Sequence, residues 1–336
     1  MVSFVKEKLA DASSERGVAL LIVLWIFIFL FVVAFDFSTG VREEATAAHR
    51  YSDDHQGYYL ALAGFEQGLY DFLTQSGGGR ELQPGNKPKD IFDTGWREET
   101  LGSGTYRVRL VDESGKINLN RADENTLRRV FSNLGVEEPV MGVLIDSIMD
   151  WRDQDDLHRT NGAENDYYQS LSPGYTAKNG PFDSIEDLLW VKGVTAKLYY
   201  GEASSGMSDH DSARVGLREI FSVDSPIDRV NLRTAAAPVI HALLGIPLEK
   251  CRAFVDERTK LGDKTLTDLL PLLGVGSGDT VLQMFIFTNP SVITVEAEGY
   301  SSQSRQPRRL KGVIRAGGNR GYELTRWVDR EIGLPH

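Results

Sequence analysis

From Gly17 to Phe35 the chain carries no charged residue, and this run is bounded by Arg16 and Asp36. It reaches the roughly 18 apolar residues that a helix needs to cross a bilayer. A discarded secretory signal has an apolar core of about 7 to 15 residues followed by a small-x-small cut site. No Ala-x-Ala appears just after Phe35. The next stretch is rich in helix formers, and Tyr51, His55, Tyr59, Leu62, Phe65, Leu69 and Phe72 recur at steps of three and four. The pattern predicts one continuous helix from Val18 to Leu73, apolar all round in its first third and amphipathic in its last third. The first part suits lipid and the second suits packing on a domain in water. The Gly-rich "SGGGRELQPGNKP" ends it.

Past residue 90 the period changes. "GTYRVRLVDES" alternates Tyr106, Val108 and Leu110 with Arg107 and Arg109, a half-buried strand pattern. Comparable strands return only in "SVITVEAEGYSS", "RRLKGVIRAGG" and "YELTRWVDRE". One strand and a distant hairpin are each too small to stand alone. The economical reading is a single small antiparallel sheet packed on the long helix, with everything from about Ser114 to Asn289 inserted into it. The fold class is therefore α+β.

The insertion contains a repeat. "INLNRADENTLRRVFSNLGV" from Ile117 matches "VNLRTAAAPVIHALLGIP" from Val230 in its Asn-Leu-x-x-Ala opening and its Leu-Gly-aliphatic close. The first copy runs on to "FDSIEDLLWVKGV" and the second to "KTLTDLLPLLGVG", which predicts two related helical modules at about 117–200 and 230–285. The signature resembles helix-hairpin-helix and SAM-like modules, some of which bind DNA backbones. That chemistry wants a Gly-hydrophobic-Gly turn among basic residues. "LGVEEPV" and "LGIPLEK" lack the second glycine, and residues 113–290 hold 27 acidic against 18 basic side chains. With a net charge of −11 for the whole chain, a nucleic-acid partner is not expected.

The remaining composition narrows the chemistry. Cys251 is the only cysteine, so no intrachain disulfide can form. The six histidines are scattered, no zinc spacing occurs, and "GVGSGDT" lacks the lysine of a phosphate loop, so the chain is not expected to be an enzyme. Its most chemical stretch is "DSIMDWRDQDDLHRTNGAENDYYQSL", where Asp150, Asp153, Asp155, Asp156, Glu164 and Asp166 crowd together around Asn161 and Gly162. Calcium takes six to eight oxygen ligands, and a carboxylate-rich loop with a turn can wrap it. Asp153, Asp155 and Glu164 fall at the first, third and twelfth places of a helix-loop-helix calcium loop. His158 stands where that loop needs glycine, and Leu157 takes a ligand place, so an irregular loop is expected. A solvated acidic turn is the alternative.

Charged "SSER", then Gly17, then the aliphatic run resembles the signal of type IV pilins and type II secretion pseudopilins, which a prepilin peptidase cuts after the glycine. The cut would fall between Gly17 and Val18 and leave the apolar segment on the product. An uncut membrane anchor is the plainer alternative. Lys6, Lys8 and Arg16 precede the run and favour a cytoplasmic N-terminus, with the bulk of the chain in the periplasm. In order, this signal, "ESGKINLN", "DWRDQDD", "NGAENDYY", "NGPFDSIEDLLWVKGV" and the late strands resemble the protein K family of type II secretion minor pseudopilins.

The resemblance implies a leader at 1–17, a transmembrane part of the helix at 18–36, and the amphipathic helix with the first part of a pilin head at 37–113. An inserted helical domain at 114–289 and the last strands of the head at 290–336 follow. It also implies calcium held by the acidic stretch, minor pseudopilins of the I and J types and the major pseudopilin as partners, and a place in the bacterial inner membrane. Shaft-forming members carry glutamate as the fifth residue after the cut; here that residue is Ile22. Its absence, with the bulky insertion, points to a cap at the tip of the filament. The runner-up is a membrane-anchored DNA-binding protein of the competence type.

Overall fold

The computed structural model describes residues 2–76, 92, 95–201, 215–260, 265–276, 278–302, 306–317 and 321–329, without the side chains of 2–19 and 75–76. The first helix, α1, spans Val2–Ser76, longer than the sequence pattern predicts. The segment before Gly17 includes the helix formers Lys6, Glu7, Lys8, Leu9, Ala10, Ala12 and Glu15, and one glycine is too little to stop a helix already propagating. Every residue from 20 to 38 is exposed. Among the described residues this is the one helix long and apolar enough to cross a membrane.

The sheet has five strands in the order β1 (Arg97–Leu101), β2 (Gly104–Asp112), β7 (Val292–Tyr300), β8 (Arg308–Ala316) and β9 (Tyr322–Asp329), all antiparallel. β2 alternates as its sequence predicts, with Tyr106, Val108 and Leu110 buried. β1 is an added edge strand whose "REETL" carries no apolar alternation to betray it. On the outer face the register lines up Glu98, Arg107, Glu298 and Arg309 in a row of alternating charge. Arg107 and Arg309 both donate to Glu298, at 2.6 and 3.0 Å.

The inner face packs on α1 along the C-terminal part of the expected stripe, where Phe65, Leu69 and Phe72 are buried, but not along its N-terminal part. Tyr51 and Tyr59 are exposed, and Tyr51 meets His55 edge-on instead, with ring centroids 4.2 Å apart. The buried face is Gly57, Leu60, Ala61, Gly64, Phe65, Gly68, Leu69 and Phe72. Glycine carries the contact because the helix backbone lies directly on the strands. A Cβ at Gly64 would stand 2.8 Å from the Tyr106 ring, and one at Gly68 would stand 2.8 Å from Val295 and 2.9 Å from Val108. Contact order fixes direction: Leu60 meets Gly104, Gly64 meets Tyr106, and Gly68 meets Val108 and Leu110. β2 therefore climbs beside α1, away from the apolar end.

The chain leaves the sheet at the top of β2 and returns in the adjacent strand β7. Between them lie the two-residue strands β3 (Ile117–Asn118), β4 (Phe221–Ser222), β5 (Val230–Asn231) and β6 (Phe285–Ile286). The helices are α2 (Glu124–Asn133), α3 (Glu138–Arg152), α4 (Asn165–Gln169), α5 (Ala196–Tyr200), α6 (Leu217–Ile220), α7 (Ala237–Leu244) and α8 (Leu248–Arg258). They enclose a core of their own, separate from the one beneath the sheet.

The two Asn-Leu-x-x-Ala openings are held alike. The Asn118 and Asn231 side chains donate to the carbonyls of Ser225 and Thr288. Arg152, at the end of α3, donates to the Leu119 and Ala122 carbonyls, and Arg258, at the end of α8, donates to those of Leu232 and Ala235. β3 pairs with β4 and β5 with β6, both parallel.

Polar contacts fasten the insertion to the sheet. The buried Asp112 carboxylate accepts from Asn231 and Thr234, and the buried Glu113 carboxylate from Ser222 and Thr294. From β9, Arg326 reaches the Asp183 carbonyl at 2.6 Å and Asp224 at 2.9 Å.

Candidate functional site

The acidic loop hangs between α3 and α4. Pro139 sits in the first turn of α3, where its missing N–H costs nothing, and Met141, Leu144, Ile145, Ile148 and Trp151 bury one face of the helix. That anchorage brings Asp146 and Asp150, one turn apart, under the returning arm of the loop. Asp146 Oδ2 accepts from the backbone and side-chain nitrogens of Asn161, both at 3.0 Å. Asp150, wholly buried, accepts at Oδ2 from the backbone N–H of Arg159 and of Ala163, both at 3.0 Å. Gly162 is the only residue type this approach tolerates, because a Cβ there would collide with Asp150 Oδ2.

Around this cradle several oxygens are buried without a hydrogen-bond donor: Asp150 Oδ1, Asp153 Oδ1, both carboxylate oxygens of Glu164, and Asn179 Oδ1. Such groups are rare because each forfeits its hydration. Glu164 is 2% exposed, and its carboxyl is pushed up to about 7, first by burial and then by the charges of Asp150, Asp153, Asp156 and Asp155. Burial also raises Asp150, with Asp153 adding to it and two backbone amides opposing. Asp153 is raised by burial and by Asp155.

The six carboxylates named from sequence thus divide. Asp150, Asp153 and Glu164 supply the buried unpartnered oxygens, while exposed Asp155 and Asp156 add field. Asp155 Oδ1 accepts from Leu157 N, and Asp156 Oδ1 from Asn165 and Asn179. Asp166 is exposed, accepts from the Tyr167 backbone at 2.7 Å, and is not among the charges that raise Glu164. The sequence reading missed Asn179, a neutral oxygen at a left-handed φ of 46°. Its "NG" dipeptide was the available signal. Among the described residues no three His, Cys, Asp or Glu side chains are drawn into a closed metal cage. The donor set is all oxygen and strongly anionic, and its unpartnered atoms lack what a hard cation supplies, so the residues fit calcium.

The aromatic residues beside the loop form its floor. Trp151 lies edge-on to Tyr168 at 5.2 Å, and Tyr168 lies 5.2 Å from Tyr175. Lys192 closes the outer side, donating to the carbonyls of Asn161 and Gly162 over the Tyr167 ring. At the other end of the molecule, Ile22 is 54% exposed within the apolar stretch of α1. Gly17 and Val18 lie in the same helix, with side chains outside the described residues.

Residues 108–201, which include the whole acidic loop, match the family model of the type II secretion system (T2SS) protein K. A type II secretion system protein K of Pseudomonas aeruginosa is 26% identical over 292 residues, 79% of this chain and 80% of that protein. Its counterpart in Pectobacterium carotovorum is 24% identical over 77% of this chain and 81% of that protein. The protein K of Aeromonas hydrophila reaches 40% identity over 73 residues, 21% of this chain and 22% of that one. Among solved structures, a chain of the GspK-GspI-GspJ complex from enterotoxigenic Escherichia coli shares the fold, with a TM-score of 0.55 and 19% identity over 87% of this chain and 99% of that chain. The matched domain, these relatives and the long helix on an interrupted antiparallel sheet together make the chain similar to the type II secretion protein K family of minor pseudopilins.

Proposed function

We propose that this chain is a minor pseudopilin that caps the tip of a periplasmic pseudopilus and starts its assembly, with subunits of the I and J types beneath it. One observation carries the reading: β2 climbs away from the apolar end of α1 and releases the insertion at its top. A body of roughly 180 residues standing there obstructs any subunit stacked above, whereas at a tip nothing sits above. Ile22 points the same way. Without a carboxylate at that place the chain cannot compensate a neighbour's N-terminal ammonium inside an apolar bundle, where an unpaired charge costs several kcal/mol. It can still offer its own ammonium to a subunit below. The solved neighbour, crystallised in a GspK-GspI-GspJ complex, lends support to partners of that kind.

Two further parts belong to this reading. A prepilin peptidase cuts between Gly17 and Val18, leaving the apolar segment as a single-pass anchor in the inner membrane with the head in the periplasm. Calcium occupies the acidic loop through Asp150, Asp153 and Glu164, with Asp155, Asp156 and Asn179 around them. What it supplies there is countercharge and coordination, so its role is to fix the loop. Labelling the protein on sheared filaments tests the position. One label at one end is expected, with an N-terminal sequence beginning at Val18 in the same material. Label repeated along the shaft overturns the cap.

A further inference from the structure

The loop carries its own cation. Arg159 Nε stands 3.4 Å from Asp150 Oδ1, one of the buried oxygens that lack a hydrogen-bond donor. The other cations nearby are committed elsewhere. Arg152 clamps the carbonyls of Leu119 and Ala122, Lys192 holds those of Asn161 and Gly162, and Lys178 pairs with Asp183 and Asp187. Arg152 also acts on Asp153 at a distance, but among the described residues Arg159 alone forms an ion pair with one of the cluster's buried carboxylates. Its hold is also loose. At 3.4 Å the contact is longer than a good hydrogen bond, and the Arg159 side chain is 41% exposed. The loop's register does not depend on it, because the backbone N–H of Arg159, not its guanidinium, is bonded to Asp150 Oδ2.

From this geometry we propose that Arg159 is a tethered counter-cation: it occupies the carboxylate cluster while the loop is metal-free and swings into solvent when calcium enters. The inference rests on the reading of the loop as a calcium site. A monovalent guanidinium only partly offsets carboxylates this crowded, so a divalent ion displaces it. Displacement costs the ion pair, however, and that cost weakens calcium binding. Arg159 thereby sets the affinity without being a ligand, and it keeps the metal-free loop from opening under its own repulsion.

The test is calcium titration calorimetry on the full chain in detergent, with melting curves in chelator. Arg159→Gln is expected to bind calcium roughly tenfold more tightly than wild type and to melt several degrees lower in chelator. Arg159→Lys should fall between the two. Tighter binding from a less stable protein is an outcome that a merely structural role would not produce, since lost structure weakens a site. If wild type binds calcium and Arg159→Gln binds it equally or more weakly, the counter-cation is refuted while the calcium site stands. If wild type takes up no calcium, the site itself falls, and this role with it.

Discussion

Glu164 concentrates the electrostatic problem of the loop in one side chain. It is buried, both its oxygens lack donors, and four aspartates act on it. Its carboxyl is pushed up from 4.5 to about 7. Between those values the folded chain keeps a proton that the unfolded chain releases, so the metal-free protein loses stability as pH rises through this window. Under the proposed calcium reading, the ion binds the ionised folded form and would oppose that loss. Melting in chelator should therefore fall between about pH 5 and 7.5, and calcium should restore most of the loss at the upper end and little at the lower. Glu164→Gln should flatten the slope; an unchanged slope would assign it to another group. The crowding was legible in sequence as six acids, but not the division among them. Spacing alone cannot distinguish Asp150, aimed inward from an anchored helix, from Asp166, spent on its own helix terminus.

At the scale of elements, the strongly periodic segments were readable and the quiet ones were not. β2 follows its apolar alternation, and β7, β8 and β9 form where strands were expected although β7 is buried almost throughout and β9 is largely exposed, whereas β1 is an edge strand of polar residues with nothing to alternate. The amphipathic helix was recognisable as such, and Phe65, Leu69 and Phe72 of its expected stripe are buried, yet the part through Tyr51, His55 and Tyr59 is not. Counting large apolar side chains overlooks a contact made by glycine, where the absence of a side chain is the point. Gly68→Val should accordingly push α1 off Val108 and Val295 and destabilise the head by about 1–3 kcal/mol, the usual cost of overpacking. Urea unfolding of the full chain in detergent measures it. A neutral result would mean that α1 does not lie against the sheet as described.

For the whole molecule, the order of motifs along the chain was the most informative signal. No single motif was decisive, but an apolar start, an interrupted sheet and an acidic loop in that sequence fit few architectures. What pattern could not supply was direction: that β2 climbs away from the apolar end of α1 is a fact of packing, and the insertion's place at the far end follows from it. That interruption also governs how the chain acquires its shape. β2 and β7 are neighbours in space across roughly 180 residues, and closing so long a flexible loop costs about 4–5 kcal/mol before any pairing repays it. Once the inserted body has folded on its own core, its two ends are already held near one another and most of that cost is gone. Folding order is thereby written into the topology: the inserted body comes first and the sheet it interrupts closes second, so a lesion in the former delays the latter without touching a single one of its strands.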